Sequence, residues 1–186
     1  VMGGSFMRPA TPAEVERMRA LVAQAMADGA VGMSTGLIYL PGTYTKTEEL
    51  IELAKVAGAH GGIYASHMRA ETVQIFSALD ELIRIAREAR MPAQVSHIKL
   101  SGPAAWGRTD EVAAKLAAAR REGLEIHHDQ YLYTASSTSI STLVPTEARE
   151  GKPEDFRARL ADPKKKAAIV DEMKRTVAAG KRGDYG

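Results

Sequence analysis

Apolar positions along this chain alternate between two rhythms. From Val15 to Met26 they recur at helical spacing: Val15, Met18, Leu21, Val22, Ala25 and Met26 share one helix face. Thr11-Pro12-Ala13-Glu14 is a helix start, with Thr as N-cap, Pro in the first helical position and Glu three residues after the cap. Gly29 is the stop. A short apolar run, "AVGMSTGLIYL", then predicts a strand. Thr47 is the expected cap of a second helix, "EELIELAKVAGAHGG", whose two leading glutamates suit the positive end of the helix dipole. The same order repeats twice more. The strand "GIYASH" precedes the helix "VQIFSALDELIRIAREAR", which Pro92 stops; the strand "AQVSH" precedes the helix "RTDEVAAKLAAARREG", which Gly123 ends, and "LEIHHD" is the fourth strand. Past Tyr133 the rhythm dissolves into a loop over about 134–155, too long for a mere connection and placed where loops are commonly functional. A last helix is expected from Asp162-Pro163.

A helix–strand unit of about thirty residues implies parallel strands with helices outside, either a doubly wound sheet or a (β/α)₈ barrel. No Gly-rich nucleotide fingerprint follows any strand. In both folds ligands gather at the C-terminal ends of the strands, and there this chain places histidines: His67, His97 and the His127-His128-Asp129 cluster. One strand-end histidine is most often a hydrogen-bonded structural residue. Two at matching ends of consecutive parallel strands converge on one face, where neutral imidazoles can share a Zn²⁺ ion.

A catalytic zinc needs about three protein ligands, and only these two are plain. Asp129 is a candidate third, although strand alternation puts His127 and Asp129 on one face and His128 on the other. His60, before Gly61-Gly62, reads as a helix-end residue that caps carbonyls. Arg69 and Lys99 each stand two residues beyond a histidine. For Arg69 the expectation is a solvated loop cation; Lys99, beside a metal, suits the carboxylate of a substrate.

The 186 residues are 45 % hydrophobic and 26 % charged with a net charge of +2. That balance is globular and gives no charge-based reason to expect a nucleic-acid or membrane partner. The basic run Lys164-Lys165-Lys166 reads as a solvated helix face, and the lack of cysteine excludes disulfides and thiolate ligands within this stretch. No signal or lipidation pattern is visible, so a cytoplasmic location is expected. Because the chain opens on "VMGGSFMRP" and closes on the Gly-rich "GKRGDYG", it is expected to be part of a longer protein.

The segments "STGLIYLPG", "ASHMR", "VSHIK" and "DQYLYTASST" together resemble the N-acyl-D-amino-acid deacylases (D-aminoacylases) of the amidohydrolase superfamily, from about Arg8 to Asp162. The resemblance implies an α/β fold that is part of a (β/α)₈ TIM barrel, about strands four to seven with their helices, the rest of the barrel and a small β-sandwich domain lying outside this chain. It implies zinc-dependent cleavage of the amide of N-acyl-D-amino acids, a small-molecule substrate, to a carboxylate and a free D-amino acid. It matches His67 and His97 to the zinc ligands and Tyr39, Lys99 and Ser136 to substrate contacts. The His-x-His of the first barrel strand, a metal-binding cysteine and the general-base Asp of the last strand are expected outside residues 1–186. His127-His128 stands where the family usually has a pair of small residues, and Leu132 where it has proline. A relative acting on cyclic amides, of the dihydropyrimidinase or hydantoinase kind, is one alternative. A non-catalytic barrel fragment is another; a His-x-His upstream of Val1 would separate it from the enzyme.

Overall fold

In the computed structural model, which describes residues 1–178, four strands form one parallel sheet in chain order. Residues 179–186, which include the Gly-rich tail, lie outside the described residues. The strands are β1 (Gly32–Gly36), β2 (Ile63–His67), β3 (Ala93–Val95) and β4 (Ile126–His128). Helices α1 (Pro12–Ala27), α2 (Thr47–Ala59), α3 (Ile75–Ala89) and α4 (Thr109–Arg121) precede them in turn, and α5 (Pro153–Ala161) and α6 (Pro163–Ala178) follow.

Register is set by side-chain size as well as by the ladder. Gly32 pairs with Ile63, and a Cβ on Gly32 would stand 2.1 Å from the Ile63 carbonyl oxygen, so only glycine permits that approach. Along β2, Tyr64 and Ser66 are buried while Ile63, Ala65 and His67 are more open, the two-residue alternation of a strand with one well-covered face. Helix α2 packs against β2 and α3 against β3, α3 burying Ile75, Leu79, Leu82, Ile83 and Ala86 at spacings of three and four. Leu79 and Ile85 are wholly buried, each worth about 1.5–3 kcal/mol relative to exposure. Left-handed Arg90 (φ 52°) ends α3.

Four local expectations need correcting. Lys46, not Thr47, occupies the N-cap of α2; the Thr47 hydroxyl instead donates to Glu81 at 2.8 Å. The first strand stops at Gly36, and Leu37 to Leu40 form a turn. The stripe on α1 is only partly covered, with Leu21 61 % exposed; its start is as expected, with Thr11 and Glu14 making a reciprocal capping box. The long loop ends before Pro153, where α5 begins, and contains short 3₁₀ turns at Ile140–Leu143 and Glu147–Arg149. α6 starts at Pro163, as expected, with Lys164, Lys165 and Lys166 exposed. No helix among the described residues is long and apolar enough to cross a membrane.

Candidate metal centre

His67 is the last residue of β2, so its backbone stays in the ladder, and the His67 carbonyl accepts from Leu37 N–H at 3.0 Å. His97 lies two residues beyond β3, in the left-handed region at φ 40°. That conformation is uncommon for a non-glycine residue, although histidine is among the types enriched in it. It is held from outside: the His97 N–H donates to Asp129 Oδ1 at 2.6 Å, and Gln94 Nε2 donates to the other Asp129 oxygen at 2.6 Å. The turn swings the His97 ring beside that of His67, centroids 4.4 Å apart and edge to face.

Glu71 completes the group. Its Oε1 is 3.2 Å from His97 Nδ1 and 3.8 Å from His67 Nε2. Ligand atoms of His67, Glu71 and His97 all lie within 4.8 Å of one another. His67 Nε2 is buried and has no hydrogen-bond partner. A buried nitrogen left unsatisfied is costly, and a lone pair facing another imidazole and a carboxylate is what a zinc ligand offers. The residues therefore fit a metal. Burial holds the His67 pKa below its ordinary value; Glu71 opposes this, and the neighbouring His97 and Lys99 reinforce it. That direction favours the neutral imidazole, the form that ligates a metal.

The second layer fixes the first. The Tyr39 ring meets His67 edge-on with centroids 5.0 Å apart; Gly36 leaves it room, since a Cβ there would stand 2.8 Å from Tyr39 Cδ2. The Tyr39 hydroxyl pairs with Thr138 Oγ1 at 2.9 Å. Lys99 Nζ lies 2.8 Å from His97 Nδ1, donates to Glu71 Oε1, and faces the Tyr131 ring at 5.4 Å.

No protein-family model matches the chain. It is 44 % identical over 135 residues to a D-aminoacylase of Alcaligenes xylosoxydans xylosoxydans, covering 73 % of this chain and 28 % of that protein. A solved D-aminoacylase, studied for the functional role of its binuclear metal centre, superimposes with a TM-score of 0.66 at 41 % identity, over 69 % of this chain and 27 % of that one. The N-acyl-D-glutamate deacylase of Bordetella bronchiseptica, solved with zinc and a phosphonate mimic of the tetrahedral intermediate, matches with a TM-score of 0.70 at 33 % identity, over 87 % of this chain and 37 % of that one. The chain belongs to the N-acyl-D-amino-acid deacylases. It spans 28 % of the length of the curated relative named first.

Within this deacylase segment, the structure brings four expected residues together (Tyr39, His67, His97 and Lys99) and leaves others apart. Ser136 is exposed in its loop, and the loop residue that reaches Tyr39 is Thr138. Asp129 is not among the grouped ligand atoms; both its oxygens are spent on His97 N–H and Gln94, so its role is to hold a turn. His127 and His128 are exposed, and His128 Nδ1 faces Arg120 at 3.2 Å. His60 is the C-cap residue of α2, as expected, its Nδ1 2.9 Å from the Val56 carbonyl.

The solvated reading of Arg69 is wrong. Its guanidinium forks onto Glu81 at 2.9 Å and donates to the carbonyls of Thr43 at 3.0 Å and Thr45 at 2.8 Å. It clamps the turn after Tyr39 to the loop after His67. Sequence reasoning also missed Glu71 and Tyr131. Glu71 had a signal, a carboxylate four residues past a strand-end histidine, and Tyr131 lay inside the quoted "DQYLY" segment.

Proposed function

We propose that the whole protein hydrolyses the amide bond of N-acyl-D-amino acids, small-molecule substrates, using zinc and releasing a carboxylate and a free D-amino acid. On this reading β1 to β4 are about the fourth to seventh strands of an amidohydrolase-type (β/α)₈ barrel, residues 1–186 are part of its catalytic domain, and the stretch over about 134–155 is the loop over its mouth. The single observation that carries the proposal is the buried, unpartnered His67 Nε2 beside the His97 ring. The zinc and phosphonate bound by the Bordetella bronchiseptica relative support it. A cytoplasmic location is part of the same reading.

His67 and His97 are the proposed zinc ligands. Zinc bound there supplies Lewis acidity, which polarises an acyl carbonyl and makes water a better nucleophile. The chain's own residues do the rest of the work assigned to this segment. Lys99 presents a cation at the edge of the histidine pair, where it meets the substrate carboxylate. Tyr39, braced by Thr138 and Gly36, forms a wall against His67, and Ser136 contacts substrate from the loop. The general base is expected from a part of the protein outside residues 1–186, as the family resemblance implies; Asp129 instead accepts from His97 N–H and Gln94 and holds the turn after β3.

The test is an assay of the whole protein against N-acetyl-D-amino acids with neutral, acidic and basic side chains, the L-series serving as control. Release of free D-amino acid that stops on chelation and returns with zinc is the expected result. Hydrolysis of the L-series alone, or turnover indifferent to chelators, would refute the proposal.

A further inference from the structure

His97 Nδ1 has two close neighbours that make opposite demands on it. Glu71 Oε1, 3.2 Å away, is a carboxylate oxygen and can only accept, so a hydrogen bond to it from the ring would require a proton on Nδ1. Lys99 Nζ, 2.8 Å away, carries donors only, so its bond requires Nδ1 bare. A neutral imidazole carries one ring proton. With Lys99 donating to Nδ1 the proton sits on Nε2, and neither nitrogen is free for a metal. With Glu71 accepting from Nδ1–H, the Nε2 lone pair is available.

Glu71 is built to win that contest. Its side chain is 14 % exposed. Its backbone is pinned, the Glu71 carbonyl accepting from Ser101 N–H at 2.7 Å, which ties the loop after β2 to the loop after β3. Its Oε1 also accepts from Lys99 Nζ, so the ammonium that reaches the ring has a stronger, charged acceptor beside it. Metal-ligating histidines characteristically give their other N–H to a carboxylate, which orients the ring and raises its basicity.

We propose that Glu71 is a positioning residue of the metal centre: it accepts a hydrogen bond from His97 Nδ1–H, so that Nε2 is presented to zinc, and it holds Lys99 beside the site. This rests on the reading of His67 and His97 as zinc ligands. The carboxylate itself stays outside the coordination shell.

The experiment measures zinc affinity of the whole protein by competition with a chromophoric chelator, for the native form and for Glu71→Gln, Glu71→Asp, Lys99→Met and His97→Ala. Glu71→Gln is expected to weaken zinc about 10–100-fold with unchanged stoichiometry at saturation, and Glu71→Asp to restore part of the loss. Lys99→Met removes the competing donor and should leave affinity equal or tighter; added to Glu71→Gln, it should recover part of the loss. A purely architectural Glu71 would lower the melting temperature of the chelated protein without that opposite response to Lys99→Met. Unchanged affinity in Glu71→Gln, a lost equivalent of zinc at saturation (direct ligation), or equal weakening by Lys99→Met would each overturn the proposal. If His97→Ala keeps native affinity, the zinc-ligand reading itself fails, an outcome separate from these.

Discussion

Two groups of histidines stand at the same edge of one parallel sheet, and they have met different fates. At β2 and β3, His67 and His97 face each other with ring centroids 4.4 Å apart, beside a carboxylate and a lysine. At β4, His127 and His128 are exposed, and the adjacent Asp129 spends both oxygens on the β3 turn. Residue type does not separate the two groups. Position does. His67 ends its strand on the open face, and a left-handed turn that Asp129 stabilises carries His97 round to meet it. His127 and His128 lie within the ladder, paired with Gln94 and Val95, and successive side chains of a strand point to opposite faces. The β4 group thus works as scaffold for the β3 group.

That contrast breaks most decisively at the histidines themselves. His67→Ala in the whole protein should abolish stoichiometric zinc and lower kcat/KM by about a thousandfold or more, the loss of several kcal/mol of charge stabilisation. Metal analysis after dialysis and steady-state kinetics read both quantities, and retained zinc would put the metal elsewhere. Next in size is Lys99→Ala. Losing a charge-assisted bond of about 1.5–3 kcal/mol should cost roughly 10–150-fold in kcat/KM for free N-acyl-D-amino acids while zinc stoichiometry stays constant. Equal losses on substrates with the carboxylate esterified would show that Lys99 does not read that charge.

Arg69→Met probes the clamp between the Tyr39 turn and the His67 loop. It leaves Glu81, 10 % exposed, without its guanidinium partner. With Arg69 itself 31 % exposed, solvent screening limits the cost to about 2 kcal/mol. A lower melting temperature with a raised KM is expected, and Arg69→Lys should not restore either, because an ammonium cannot fork onto a carboxylate and reach two carbonyls. The smallest effect belongs to His127→Ala, which should leave zinc content unchanged and kcat/KM within about twofold, as for exposed side chains. A large loss of zinc there would erase the distinction between the two groups.

The fold was legible wherever periodicity and stops coincide. The helix before Pro92, the Thr11–Glu14 box of α1 and the thirty-residue spacing of the strands are local signals, and the structure follows them. What failed was non-local. Thr47 has the residue type of an N-cap, but Glu81, brought in by α3, takes its hydroxyl. Arg69 has the composition of a solvated cation, yet the turn after Tyr39 supplies two carbonyls that only the folded chain places within reach. Glu71 was overlooked because it lies on a loop with no period, and its value depends on His97 adopting a positive φ that no sequence pattern announces. Asp129 was weighed as a ligand because its distance from His97 in sequence says nothing about the backbone N–H that occupies it.

The central claim is that His67 and His97 hold one zinc ion between them. It is tested most directly by anomalous scattering at the zinc edge from crystals of the whole protein. The account predicts a peak about 2 Å from an imidazole nitrogen of each residue, with Glu71 hydrogen-bonded to His97 rather than bound to the ion. A peak at the β4 histidines with none between His67 and His97 would contradict it.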